Sequence, residues 1–185
     1  REIYRIENLQ FKIKDPIMLG KDSMIQWKDR YYKHYFNVTP DEIDRFSKNM
    51  VYHYCRGLKW VTEYYFDKCP SWKWYFPYNH PPFLQDISKH KVNFSDIKFT
   101  LGEPLSPNEQ LLCVLPKQSH YLVPDFLQKV MLNVNSSLSH LYPEQFEQDI
   151  INKKQYWMAI PDLPPLEIDL VQKIYKKYNK KNITL

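Results

Sequence analysis

The side chains best equipped for chemistry in this sequence are aromatic rings set beside lysines. Lys153-Lys154-Gln155-Tyr156-Trp157 is the densest instance, followed by Lys59-Trp60 and Trp72-Lys73-Trp74. A ring face stacks on any base and an ammonium group pairs with any phosphate, so this pattern suits single-stranded nucleic acid. The competing reading is that the rings fill a core. For Trp60, Trp72 and Trp74 that reading is preferred, because Trp60 falls on or beside the apolar stripe of a helix. Trp157 follows a polar run and precedes a proline-rich stretch, so exposure and burial weigh equally there.

Hydrolytic chemistry is harder to find. Metal-dependent nucleases bring several carboxylates to one point to hold cations. The acids here are scattered or sit in helix caps: Asp41, Glu42 and Asp44 are close in sequence, but in a helix first turn, where the dipole stabilises them. There is no DxD or ExxH pair, and no GxSxG, HExxH or GxxxxGK motif. His53 and Cys55 are two apart on a helix and point to different faces. Cys55, Cys69 and Cys113 are odd in number and widely spaced, which indicates neither a disulfide framework nor a zinc site. No catalytic residue and no metal ligand is therefore assigned. The residues alone read as a binding wall or scaffold.

The elements that must position these rings are mostly helices. Ser23 with Gln26 forms a capping box, and Met24, Trp27, Tyr31 and Tyr35 follow at helical spacing, predicting a helix over about Met24–Phe36. Its other face carries Lys28, Arg30, Lys33 and His34, a nucleic-acid contact face or, preferably, a solvated surface. Thr39-Pro40-Asp41-Glu42 is a strong helix start. Ile43, Phe46, Met50, Tyr54, Leu58, Val61 and Tyr65 then recur every three or four residues, predicting about seven turns to Asp67–Lys68. Gly57, inside that helix, marks an expected close approach of a second helix. From Cys69 to Phe83, prolines at 70, 77, 81 and 82 forbid regular structure in a run crowded with rings. Such a run must pack against something.

Further on, a short helix is expected over Phe83–Lys89, then a polar connector over 90–105. Ser106-Pro107-Asn108-Glu109 repeats the cap–proline–box grammar and opens a helix to about Leu115. Val123-Pro124 opens another through Leu132, and Asn133–Ser139 reads as a loop. Tyr142-Pro143-Glu144-Gln145 predicts a one- or two-turn element, and a last helix is expected over about Glu167–Tyr178. Its lysines at 173, 176, 177, 180 and 181 offer phosphate contacts, against the preferred reading of a frayed, solvated terminus. The fold class is mostly α: an irregular helical domain with long proline-rich and aromatic-rich connections. Residues 1–22 read as an arm or linker to a preceding region, with a possible strand over Phe11–Ile13, 23–178 as the helical domain and 179–185 as a basic tail.

Composition sets the outer bounds. With 43% apolar and 16% aromatic residues, a chain of 185 residues can bury a sizeable core. Three glycines against fourteen prolines disfavour a Gly-rich phosphate loop and an all-β fold with tight hairpins. A net charge of +5 weakly favours a polyanionic partner. No run approaches the roughly 18 apolar residues of a membrane span, and a reducing compartment, cytoplasmic or nuclear, is expected from the cysteines. The chain opens on Arg1 rather than Met, which reads as a piece of a longer protein.

Several separated blocks then resemble one family, from about Trp27 to Leu166. They are Trp27-Lys-Asp-Arg-Tyr-Tyr, Cys55-Arg-Gly-Leu-Lys-Trp-Val, Cys69-Pro-Ser-Trp-Lys-Trp-Tyr-Phe-Pro-Tyr, Pro104-Leu-Ser-Pro-Asn-Glu-Gln-Leu-Leu-Cys-Val-Leu-Pro116, and Leu141-Tyr-Pro with Asn152-Lys-Lys-Gln-Tyr-Trp157. In this order they are similar to the second conserved, helical region of the XRN family of 5′→3′ exoribonucleases. The chain departs from the family at Tyr78-Asn-His-Pro-Pro-Phe83, at Asn108, and at Asn152, where the family has Gly.

The resemblance implies a parent enzyme that degrades single-stranded 5′-monophosphate RNA processively, using a divalent metal, Mg or Mn, bound outside this segment. It implies an N-terminal nuclease domain of the same protein as partner, with the helical region packed on it and walling the RNA channel, and no membrane. It places base stacking on Trp157 and makes Tyr75, Tyr78, His80, Lys153 and Lys154 channel-lining candidates. This segment alone would be inactive. A non-catalytic RNA-binding or scaffolding relative is the alternative, and an autonomous enzyme the weakest reading.

Overall fold

A computed structural model describes residues 14–153 and 155–183. The chain divides into two compact units, one of residues 1–102 and 150–158, the other of 103–149 and 159–185. The strand expected at Phe11–Ile13 and the candidate Lys154 lie outside the described residues.

The first unit is built on α1 (Met24–Phe36) and α2 (Ile43–Phe66). The Ser23–Gln26 box closes as expected, and Asn37 ends α1 in a left-handed turn with φ 52°. Glu42 Oε2 reaches back as expected, accepting from the Thr39 hydroxyl at 2.6 Å and the Thr39 amide at 3.2 Å. Glu42 N–H, however, bonds back to the Thr39 carbonyl at 3.0 Å, which makes this turn a tight one, and α2 proper starts one turn later than expected, at Ile43. Tyr31 and Tyr32 of α1 and Ile43 and Met50 of α2 are buried together with Ile17 and Val38, and Phe36, Phe46, Phe76, Tyr78 and Phe83 pack around them.

Beside that core sits α3 (Leu84–Lys89), one residue shorter than predicted. Its Asp86 is fully buried. The carboxylate pairs with the Lys28 ammonium and accepts a 2.6 Å bond from the Tyr32 hydroxyl. Burial first, and then that bond, push the Tyr32 phenol far up.

The predicted apolar stripe of α2 is only half covered. Ile43 and Met50 are buried, but Leu58, Val61 and Tyr65 are exposed, the last by 74%. The helix has the extent its spacing predicts, but among the described residues its apolar stripe is buried only over the first half. The expectation at Gly57 is corrected. What approaches it is not a second helix but the Trp74 indole, from the proline-punctuated run.

The second unit packs α4 (Pro107–Val114), α5 (Asp125–Leu132) and α6 (Ile168–Ile183) around Leu112, Leu127, Val130, Met131, Leu138 and Val171. The Ser106–Glu109 box opens α4, with Glu109 Oε2 2.8 Å from the Ser106 amide. The helix predicted after Tyr142 does not form. The Tyr142 ring is buried with its hydroxyl donating to the Leu112 carbonyl at 2.8 Å, and its backbone, ahead of Pro143, lies outside the helical region at φ −119°, ψ 57°. The chain then runs on to β1 (Gln148–Asp149), which pairs antiparallel with β2 (Ile160–Pro161). The last helix extends past the expected Tyr178 to Ile183, because Val171, Ile174, Tyr175 and Tyr178 hold one face against the core.

Candidate nucleic-acid interface

Residues 150–158 run between the two strands, and within them the chain makes two turns. Lys153 N–H closes the first on the Ile150 carbonyl at 3.1 Å, and Met158 N–H closes the second on the Gln155 carbonyl at 3.0 Å. Asn152 sits in the first turn at φ 57°. That left-handed conformation costs Gly nothing and Asn little, while most other residues avoid it. The Asn152 side-chain amide adds a 3.4 Å bond to Asp15.

The second turn is a 3-10 turn over Tyr156–Met158. It presents Trp157 outward, with 78% of the residue exposed. Sequence reasoning left burial and exposure balanced; the structure shows a largely exposed indole on a constrained turn. Tyr156 and Met158 flank it and are also exposed. Lys153 is half-buried.

The remaining candidates separate into different roles. Tyr75 is exposed. Tyr78 is not a free surface ring: it packs edge-on against Phe36, Phe46 and Phe76, and its hydroxyl accepts from the Asn49 side-chain amide at 2.9 Å. The His80 ring stacks on Tyr35 with centroids 3.6 Å apart. The Pro81 carbonyl beside it accepts from the Tyr31 hydroxyl at 2.6 Å.

The proline-punctuated run is pinned by its polar tips. Trp60 Nε1–H donates to the Ser71 carbonyl at 2.9 Å, while the Ser71 hydroxyl accepts from the amide of Trp74 at 3.2 Å. Trp72 N–H donates to the Leu101 carbonyl at 2.8 Å. Trp74 is half-buried against Phe99 and the Arg56 guanidinium. Trp72 departs from the expected core role, since its ring is 49% exposed. Trp60 lies parallel to Tyr64 at 5.1 Å, Tyr64 meets Tyr65 edge-on at 5.5 Å, and Tyr64, Tyr65 and Phe66 are exposed at the end of α2.

One hydrolase-like grouping escaped sequence reading. Ser47 Oγ lies 3.1 Å from His90 Nε2, and Asp44 Oδ1 lies 3.5 Å from the same nitrogen. A nucleophile–base–acid relay needs the acid on the opposite ring nitrogen. Here both partners address Nε2, Ser47 is buried, and its hydroxyl already contacts the Asp44 carbonyl at 3.2 Å. The arrangement joins α2 to the end of α3 and lacks the order a relay requires. Nor do the described residues bring three or more His, Cys, Asp or Glu side chains together as a metal site. Among the described residues, no helix is long and apolar enough to cross a membrane.

The fold and this surface define a mostly helical domain that offers exposed rings and cations. Comparison with known proteins narrows that class. A family model described as the Xrn1 helical domain matches residues 4–182. The chain is 39% identical over 165 residues to a 5′-3′ exoribonuclease 2 of Candida albicans, covering 84% of this chain and 17% of that protein. It is 37% identical over 186 residues to that of Debaryomyces hansenii, covering 94% and 18%. For the Schizosaccharomyces pombe protein the identity is 40% over 153 residues, covering 80% and 15%. The chain belongs to the Xrn1 helical-domain family. It spans under a fifth of the length of these curated relatives.

Proposed function

We propose that this chain is the helical part of a 5′→3′ exoribonuclease. Its parent degrades single-stranded 5′-monophosphate RNA processively. The divalent metal, Mg or Mn, and the carboxylates that hold it lie in an N-terminal nuclease domain of the same protein. The helical region packs on that domain and walls the channel the RNA enters. Trp157 stacks on a base, with Lys153 and Lys154 beside it for the phosphates and Tyr75 on the lining. Tyr78 and His80 act one step back, by fixing the proline-punctuated run against α1 and α2.

The observation that carries this reading is the uncovered second half of α2. Leu58, Val61, Tyr64 and Tyr65 continue an apolar stripe that the first half buries, and among the described residues they stay about half exposed or more. A contiguous apolar patch of this kind marks an interface. The relatives named above are 5′-3′ exoribonucleases several times longer than this chain, and a parent of that length has room for a covering domain.

The test is the full-length protein against three RNAs of one sequence: single-stranded with a 5′-monophosphate, single-stranded with a 5′-hydroxyl, and duplex. Mononucleotides should be released from the first far faster than from the others. Leu58→Asp with Val61→Asp should abolish that release by separating the two regions. RNA binding without mononucleotide release would assign the protein to the non-catalytic relatives instead.

A further inference from the structure

The last helix carries a second feature that the site above does not use. Lys173, Lys176, Lys177 and Lys180 are all exposed. At 3.6 residues per turn they fall within about 100° of arc, centred opposite the buried Val171. The other face, with Leu170, Ile174, Tyr175 and Tyr178, is packed on the core formed with α4 and α5. The strip is thus held on an ordered helix, where the sequence alone favoured a frayed terminus.

Ordinary reasons for such a strip fall short. Cations near a helix C-terminus complement the dipole, but that effect fades beyond the last turn, and Lys173 and Lys176 lie before it. A solubilising face intersperses acids with lysines at i,i+4 spacing, and after Asp169 the helix has no Asp or Glu. Instead, Lys173 faces Lys176 and Lys177, and both face Lys180, at the spacings where like charges repel. Among the described residues, Lys173, Lys176 and Lys177 make no ion pair. The folded chain gains nothing from this repulsion, so it points to a polyanion from outside.

We propose that the exposed face of α6 binds the phosphate backbone of single-stranded RNA, independently of base identity. That the polyanion is RNA rather than an acidic protein segment rests on the proposed function. The absence of exposed rings from the strip limits its contacts to phosphates, which makes it an electrostatic capture surface separate in kind from the Trp157 turn.

The experiment uses the full-length protein with hydrolysis stopped by chelator. Binding of a fluorescent single-stranded oligo-uridylate is followed across a salt series, for the wild type, for a Lys173→Gln, Lys176→Gln, Lys177→Gln variant, and for the same three positions changed to Arg. Each phosphate contact on a single strand contributes about −0.7 to the log–log salt slope. The glutamine variant should therefore show a slope shallower by about 2 and an affinity lower by at least tenfold at low salt. The arginine variant should match the wild type. An unchanged slope in the glutamine variant overturns the proposal. So does a loss confined to labelled polyglutamate with RNA binding intact, which would assign the strip to an acidic protein partner. Trp157→Ala should leave the slope unchanged, so failure of the stacking site and failure of the strip are separately visible.

Discussion

The indole of Trp74 lies so close to Gly57 that a methyl group on the glycine would stand 3.1 Å from Cη2 of the ring. This contact joins the proline-punctuated run to the middle of α2. Gly57→Ala would gain about 1 kcal/mol in helix propensity. Against that, the ring packs on Phe99 and the Arg56 guanidinium and its backbone amide is tied to the Ser71 hydroxyl, so it has little room to yield. Overpacking of a held ring costs about 1–3 kcal/mol. The expected result is a net loss, seen as a fall of a few degrees in Tm. Adding Trp74→Phe should restore most of it.

Trp72 and Trp74 should part company on truncation. Trp74→Ala removes a half-buried indole and opens a cavity beside Gly57, a loss of about 3–5 kcal/mol if the site does not collapse. Trp72 is half exposed, so Trp72→Ala should cost no more than about 1 kcal/mol. Denaturant titration of the two variants measures the difference. Equal losses would mean that Trp72 is covered in solution.

Asp86 is the electrostatic link between α1 and α3. Asp86→Ala leaves the Lys28 ammonium and the Tyr32 hydroxyl without their partner in a buried setting. Breaking a buried pair in this way costs about 3–5 kcal/mol. Asp86→Asn keeps an acceptor for Tyr32 and should lose less. Chemical unfolding at neutral pH checks the ranking.

His53 supplies a pH dependence. Burial, and secondarily the Arg56 guanidinium, hold the imidazole below its usual 6.5. Its Nδ1 is buried without a hydrogen-bond partner. The folded state thus binds fewer protons than the unfolded one, and stability rises with pH. The contribution is complete above about 6.5, declines as pH falls below the unfolded value, and is lost once pH passes the depressed folded value. His53→Gln should flatten the stability profile between pH 7 and 5. A profile unchanged by that substitution would assign the slope to other groups.

Much of this architecture was readable from local grammar. The boxes at Ser23 and Ser106 and the apolar spacing of α1, α4 and α5 predicted elements that form within a residue or two of their expected ends. What stayed hidden depended on contacts distant in sequence. Tyr142 reads as a helix start until its hydroxyl is seen to reach Leu112. Gly57 announces a close neighbour but not that the neighbour is a tryptophan. The α2 stripe has one period throughout, and periodicity does not reveal that its second half is left uncovered. At the candidate site the Lys-Gln-Tyr-Trp motif drew attention to this segment, while the exposure of Trp157 was legible only from the turn the chain makes there. The grouping of Ser47 with His90 was invisible, being 43 positions apart.

The central claim is that the Trp157 ring meets RNA. Single-turnover decay of a single-stranded 5′-monophosphate RNA by the full-length protein, wild type against Trp157→Ala, tests it most directly. Stacking is worth about 1–3 kcal/mol per base, so the variant should be slower by about 5- to 150-fold, with Tm essentially unchanged. Kinetics equal to the wild type, or a variant that unfolds, would contradict the account.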